Sequence, residues 1–493
     1  MLTGLKRMTL AASVALAVTG CATVGADFSA PKTAADAGFR HQAPGQANAS
    51  SAESARLPAQ WWTVFGDESL NHLEQSALRD NPSVKAAAQR LLQAQAQSGV
   101  TRASQGVQVN VSTSAANSRT SANTSQSLAL GGRSIEGNQY AVGASMSYEL
   151  DLLGRVRRMV EASDAQALVA EADRDGVLLL LSSQVATTYW QLRGMDAELA
   201  ILRGALDTRH ETEQLVTARF DVGLSNELDV SRARIESANA QADLHEIQRQ
   251  RNLLEHSLAT LVGASPSTLQ LPAAAGSALP QPPAIPVGLP ASLLAQRPDL
   301  AGSVASLRAA NAQIGVAEGA FYPSLNLTSN FGFASENLRE LVKGGSRQFS
   351  IGPLALSLPI FDGGRNRANL AVAKARYEEA IANHEGKLLT ALREVEDALS
   401  DVEQRQRQGQ AQAASQVASA RAYLVARARY ERGVSSYLDV TDAQRSALSA
   451  DRAAAQINTQ RLLATVAVAR SLGAGWQASP ALASATQGAV KAQ

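Results

Sequence analysis

The chain has 493 residues, 45 of them basic and 44 acidic, with 4% aromatic residues and one cysteine. The balanced charge leaves no electrostatic footprint for nucleic acid, and a lone cysteine excludes an internal disulfide and any multi-cysteine metal site. Of the six histidines (His41, His72, His210, His245, His256 and His384), no two stand four residues apart. His245 and His256, three helical turns apart, read as incidental surface. No nucleophile–base set, metal cluster or phosphate loop appears, so neither an enzyme nor a cofactor is expected.

At the amino terminus, Lys6 and Arg7 precede an apolar run from Met8 to Val18, and Thr19-Gly20-Cys21 follows. This is a secretory signal over residues 1–20, and the run is too short to span a membrane. Val18-Thr19-Gly20-Cys21 resembles a bacterial lipobox, which makes Cys21 a lipidation site; a plain signal peptide with an incidental cysteine is the alternative. Ala22, where some lipoproteins carry Asp, implies sorting to the outer membrane. Residues 21–60, small, polar and broken by Pro31, Pro44 and Pro58, read as a lipid-anchored extended tether.

From Trp61-Trp62 onward the chain reads as one unit written twice, over residues 61–278 and 279–476, with a flexible tail over 477–493. Asn81-Pro82 and Gln97-Ser98-Gly99-Val100 match Arg297-Pro298 and Gln313-Ile314-Gly315-Val316 at an offset of 216; Gly154-Arg155 and Gly263 match Gly364-Arg365 and Gly473 at 210. Such a period is far too long for a solenoid. Each unit runs helix, strand, strand, long helix, tip, returning helix. Strands are expected near 105–119 and 137–150, then near 322–334 and 347–360. Val107, Val109 and Val111 alternate with polar residues, as do Tyr140, Val142, Ala144, Met146, Tyr148 and Leu150. Leu325, Leu327, Phe331 and Phe333, then Leu354, Leu356, Leu358 and Ile360, repeat the pattern. Period two with one apolar face suits a soluble sheet or a transmembrane barrel strand. Four strands cannot close a barrel, so in a membrane protomers must share one; two copies give eight strands and three give twelve.

The long helices are expected over 154–222 and 363–432, roughly 100 Å each at ~1.5 Å per residue. Leu178, Val185, Leu192, Leu199 and Leu206 recur every seven residues, with Leu181, Met195, Leu202 and Val216 in d positions of the same heptad; Leu388, Val395 and Val402 match the a positions in the second unit. This is a heptad seam, which weakens around Gly409, Gln410 and Gln416. The returning helices are expected over 225–263 and 435–472. The tips between them share Gly-x-Ser-x-x-Leu-Asp-Val, at Gly223–Val230 and Gly433–Val440. Gly223 and Gly433 suit a left-handed helix stop, and Ser225 and Ser435 suit the next N-cap. Asp229 and Asp439 suit the first turn's dipole.

Trp61-Trp62 to Asp67, Asn81-Pro82, Tyr148–Arg155, Arg297-Pro298-Asp299, Tyr322-Pro323-Ser324-Leu325, Leu358–Arg365 and both tips resemble the lipoprotein (NodT-type) branch of the TolC-like outer membrane factors, over roughly residues 57–476. One departure is Val107, which stands where Pro323 opens the third strand. The resemblance implies a mixed α/β membrane protein. Four strands per protomer would build a trimeric twelve-strand transmembrane β-barrel, continued by a long periplasmic α-helical barrel of heptad-packed helices. It implies a homotrimer in outer membrane lipid that conducts small toxic compounds delivered by a periplasmic adaptor and an inner-membrane efflux transporter. An exit for secreted proteins, or a non-conducting periplasmic rod, are the competing readings. The resemblance makes Val222, Gly223, Leu224, Ser225, Gly433, Val434 and Ser435 adaptor-docking residues. It makes Leu438 and Asp442 an aperture gate, with Asp439, Asp229 and Arg232 as further candidates and Arg232 as a partner for Asp442.

Overall fold

The computed structural model describes residues 23–29, 39–41, 57–129, 131–274, 278–285 and 297–484. Cys21 and the signal segment lie outside them. The chain divides into two compact units. One comprises the chain up to Pro31, Leu92–Val169 and Val304–Asn383; the other comprises Lys32–Leu91, Ala170–Ser303 and His384–Gln493.

A 3-10 turn at Trp61–Phe65 leads into α1 (Glu68–Asp80), α2 (Pro82–Ala103), β1 (Gln108–Arg119) and β2 (Glu136–Leu150). The long α3 (Arg155–Asp221) and returning α4 (Glu227–Leu261) complete the first repeat. The second repeat runs α5 (Pro298–Gly319), β3 (Ser324–Ser335), β4 (Arg347–Ser357), α6 (Arg365–Glu431) and α7 (Tyr437–Ser471). Leu358 and Ile360, expected within β4, lie past its end, where Pro359 removes a ladder donor.

The first unit holds one antiparallel sheet of four strands among the described residues, in order β1-β2-β3-β4. The repeats meet at its centre, where β2 pairs with β3 from Tyr140↔Ser335 to Leu150↔Leu325. There Gly143 faces Gly332, and a Cβ on Gly332 would stand 2.6 Å from the Gly143 Cα. The edge strand β4 slips register between Leu327 and Ser329, opposite Pro353. An edge tolerates this because Pro lacks the donor that a central strand needs. Val109 and Val111 of β1 and Phe349, Ile351, Leu354 and Leu356 of β4 are all exposed. An acid starts each long helix. Asp151 accepts from the Val156 and Arg157 amides at 3.1 and 2.8 Å. Asp362 does the same for Gly364 and Asn366 at 2.9 and 2.8 Å.

The second unit is centred on aromatic packing. Trp61 and Trp190 are buried and flank Phe65, at ring distances of 6.2 and 5.4 Å. Asp67 caps α1 by accepting from the Leu70 amide, and its other oxygen accepts from the Tyr189 hydroxyl at 2.7 Å. Glu74 is fully buried in the same helix, and neither carboxyl oxygen has a partner among the described residues. Burial pushes its pKa up to about 9, so the group is a neutral acid at pH 7.

Val185, Leu192, Leu199, Leu202, Leu181, Val216 and Val395 of the heptad seam are buried. Where the seam fades, polar contacts replace it: Gln412 Nε2 donates to the Ala450 carbonyl at 3.0 Å and Gln416 Nε2 to Asp451 at 2.7 Å. The matched pre-proline residues do the same task. Asn81 Nδ2 donates to the Leu261 carbonyl at the end of α4, and an Arg297 guanidinium nitrogen donates to the Ser471 carbonyl at the end of α7.

The ends differ from expectation. The stretch read as an extended tether is docked wherever it is described: Arg40 N donates to Glu396 at 2.7 Å, and Phe39 is buried in the aromatic core. In the tail read as flexible, residues 480–484 are helical and Leu482 is buried.

Candidate functional site: the paired helical tips

Both tips close in the same way. Gly223 and Gly433 each adopt φ 74°. The Gly223 amide donates to the Phe220 carbonyl at 2.9 Å and the Leu224 amide to Arg219 at 2.7 Å. Gly433 to Tyr430 and Val434 to Arg429 repeat this at 2.9 and 3.0 Å. This pair of bonds is the Schellman motif, which satisfies the last carbonyls of a helix and needs a left-handed residue.

The next helix starts one residue later than expected. Asn226, not Ser225, caps α4 by accepting from the Asp229 amide at 2.9 Å. Ser436, not Ser435, caps α7 in a capping box closed by Asp439. The Schellman closure takes up the residue after glycine, so the serine sits inside the turn, and the hydroxyls of Ser225 and Ser435 are buried without a hydrogen-bond partner among the described residues. Asp229 and Asp439 are both engaged at helix starts: Asn226 Nδ2 donates to Asp229 at 3.1 Å and the Ser436 amide to Asp439 at 3.2 Å. Arg232 does not meet Asp442; it stands 3.6 Å from Asp229 on its own helix.

Apolar side chains crown the turns. Val222 and Leu224 are each 69% exposed and Val434 63%. Behind them the two tips pack as one cluster of Val216, Val230, Ala233, Tyr430, Tyr437 and Val440. The Arg219 guanidinium lies 4.9 Å from the centre of the Tyr430 ring and ties the first tip to the second. On α7, Tyr437, Val440, Thr441 and Gln444 face inward, while Leu438 and Asp442, one turn apart, share the exposed face.

A chain of charges runs behind that face. Glu236 of α4 is buried; it accepts from Arg209 of α3 at 3.1 Å and from Arg445 of α7. Arg445 also stands 4.0 Å from the exposed Asp442. The hydrogen bond and charge of Glu236 raise the Arg445 pKa, so this cation is fixed at any physiological pH. Asp442 is thus the outermost member, held weakly by an arginine already committed to a buried carboxylate.

Arg219, Glu236 and Arg445 were not singled out in the sequence, because their partners lie 211, 27 and 209 positions away. One signal was available: Glu236 falls on the inward face that Val230, Ala233 and Ala240 define at helical spacing. No cluster of candidate metal ligands occurs among the described residues, and no helix among them is long and apolar enough to cross a membrane.

Comparison with known proteins matches this organisation. A family profile described as "Outer membrane efflux protein" matches residues 73–264 and 289–474, one stretch per repeat. The outer membrane protein OprJ of Pseudomonas aeruginosa is 35% identical over 417 residues, covering 84% of this chain and 86% of that one. The cation efflux system protein CusC of Escherichia coli is 32% identical over 468 residues, covering 94% and 98%. Among solved structures, the outer-membrane channel OprN superposes with a TM-score of 0.83 at 32% identity, covering 92% of this chain and all of that one.

Proposed function

The chain belongs to the outer membrane efflux protein family, and from that premise we propose that it is the outer membrane exit duct of a tripartite efflux pump. It conducts small toxic compounds passively, and three copies build the conduit. The observation that carries this is the four-stranded sheet with apolar residues of β1 and β4 exposed and both edges unpaired among the described residues. In lipid an open edge leaves backbone donors and acceptors unsatisfied, so such a sheet needs copies of itself to close. Three copies give twelve strands, an even number within the range of bacterial barrels.

Each long helix has 67 residues, about 100 Å of helical path at ~1.5 Å per residue. That is the reach expected of a duct wall in the periplasm. The tips then face the delivering machinery. Val222, Gly223, Leu224, Ser225, Gly433, Val434 and Ser435 form the docking surface for a periplasmic adaptor, which connects the duct to an inner-membrane transporter. Leu438 and Asp442 line the aperture, where three copies supply an apolar constriction and a ring of carboxylates. Asp229 and Asp439 support that ring by holding the helix starts. The pump, not the duct, selects the substrate.

The test is to reconstitute the purified full chain in planar bilayers and to measure its mass in detergent. A three-chain particle with stepwise ion conductance, together with drug hypersensitivity of a deletion strain, is the expected result. A monomer without conductance overturns the reading.

A further inference from the structure

The strand register sorts the sheet's residues onto two faces, because directly opposed residues share a face and neighbours along a strand alternate. Val111, Ala144, Phe331 and Phe349 form one cross-strand row, and Ser112, Gly143, Gly332 and Gln348 form the next. The first row belongs to an apolar face. The second belongs to a face of hydroxyls, amides and small residues, among them Asn110, Gln139, Ser145 and Asn330. The charged residues of the strands are Arg119, Glu136, Glu149 and Arg347. Arg119, Glu136 and Arg347 fall on the apolar face, at the end of the sheet remote from the long helices. Glu149, opposite Asn326, is the one ionisable group on the polar face among the described strand residues.

That carboxylate does not stand bare. Arg155, the first residue of α3, donates through Nη2 to both Glu149 oxygens, at 2.7 and 2.8 Å. The two side chains are 33% and 25% exposed. The arginine is held from behind as well. Its Nη1 lies 3.4 Å from Met159 Sδ, and its stem crosses Gly319, where a Cβ would stand 2.9 Å from the Arg155 Cγ. Glu149 and Arg155 line a cleft of about 340 Å³ at the helix-side end of the sheet, whose other charged residues are Asp151 and Arg365, so its charges balance.

The second repeat shows that the pair is not what starts a long helix. Arg365 matches Arg155 at the offset of 210, and it opens α6 with Pro359 at the place that answers to Glu149. The strand-to-helix turn therefore forms without a strand carboxylate for its arginine.

We propose that Arg155 is a charge mask: by closing on Glu149 it keeps the polar face of the sheet neutral, so that the exit section of the duct passes cations, anions and uncharged solutes alike. The inference rests on the duct reading above, in which the apolar face meets lipid and the polar face lines the lumen. Three bare carboxylates around that wall would favour cations. Three closed ion pairs do not, and discrimination by charge is left to the aperture at the tips.

The test reads the potential at the wall directly, in the full-length chain reconstituted in lipid vesicles. Ser147→Cys places a thiol at an exposed position of the polar face, two residues and about 7 Å along the strand from Glu149. Its modification rates by a cationic trimethylammonium and an anionic sulfonate methanethiosulfonate are compared at low salt, where the Debye length is about 30 Å. The chain without Ser147→Cys serves as the blank for the native thiol. With the pair intact, the ratio of the two rates should equal that of a small thiol in free solution. Arg155→Gln uncovers the carboxylate and should raise the cationic-to-anionic ratio about fivefold, and Glu149→Gln uncovers the guanidinium and should lower it by about the same factor. The paired change restores the starting ratio, Arg155→Lys preserves it, and high salt erases the differences. A merely structural tie would leave the ratios unmoved or shift both variants in one direction, and either result overturns the mask. Should Arg155→Gln fail to assemble, the fall in Glu149→Gln decides alone. An introduced thiol that neither reagent reaches would show that the polar face does not line water, which overturns the duct reading itself.

Discussion

The two repeats make the same backbone from different chemistry. Their tips share the φ 74° glycine and the Schellman bonds, yet the side chains around them diverge. The first stripe exposes Leu228 and Ile235 about a half-buried Arg232; the second exposes Leu438, Asp442 and Arg445 at the equivalent places. One tip is capped by an asparagine and the other by a capping box. The buried Glu236 of the first repeat answers to Ser446 in the second, an exposed residue. Even the shared pre-proline cap is neutral in one case and charged in the other. Turn geometry tolerates few residues and is retained, whereas exposed and interhelical positions accept many and carry the asymmetry.

That asymmetry should be largest at Glu236. Glu236→Ala leaves the buried Arg209 without its carboxylate and should cost about 3–5 kcal/mol, while Ser446→Ala should leave the thermal midpoint unchanged. Equal midpoints would erase the distinction. Next is a difference in pH response. Glu74 keeps its proton in the fold until about pH 9, whereas the unfolded chain releases it near 4.5. Its contribution is therefore fully present below that lower value and is lost as pH rises towards 9. Glu74→Gln should raise stability by roughly 1–3 kcal/mol at pH 8 and by nothing at pH 4, read from denaturant midpoints at the two values.

The second repeat should respond in the opposite direction. Burial raises the Asp299 pKa, but the Arg297 hydrogen bonds and charge outweigh it, and the net shift is downward. Its stabilisation holds above the ordinary aspartate range and is lost as pH falls through the depressed value. Arg297→Ala should thus cost about 2 kcal/mol at neutral pH and less in acid. Asn81→Ala, the matched change, should cost about 1 kcal/mol with no acid dependence. The smallest effect belongs to the exposed stripe: on the proposed gate, in which three copies of Asp442 ring the aperture, Asp442→Ala should raise single-channel conductance about twofold. Arg232→Ala should leave conductance alone, and equal effects would deny the second tip its gating role.

The strands and the helix stops are legible in the sequence because each depends on residues within one turn or one strand, and the repeat because its marker residues recur at fixed offsets. Gly223 and Gly433 announced the left-handed stop; the serines misled because a Schellman closure adds a residue that the Gly-x-Ser spacing does not display. Arg232 was matched with Asp442 by repeat position, but its own helix offers Asp229 one turn away. The Arg209–Glu236–Arg445 chain and the hydrogen bonds from Arg158 to the Val24 and Gly25 carbonyls join positions far apart in the chain, which no local pattern encodes. Residues 23–27 read as linker by composition, and their glycine acquires meaning only against Gly315.

The central strand pair has a consequence for the order in which the molecule forms. Arg119 and Glu136 join β1 to β2 across a short excursion, but Leu150 and Leu325, which end the pairing of the two central strands, are 175 positions apart. Closing a flexible loop costs about (3/2)RT ln n, so the central pairing costs about 2 kcal/mol more than the hairpin. Collapse of α3 and α4 into a helical hairpin shortens that excursion before the strands must meet. Of the three strand pairings, the central one therefore draws most on the helical hairpin for its closure.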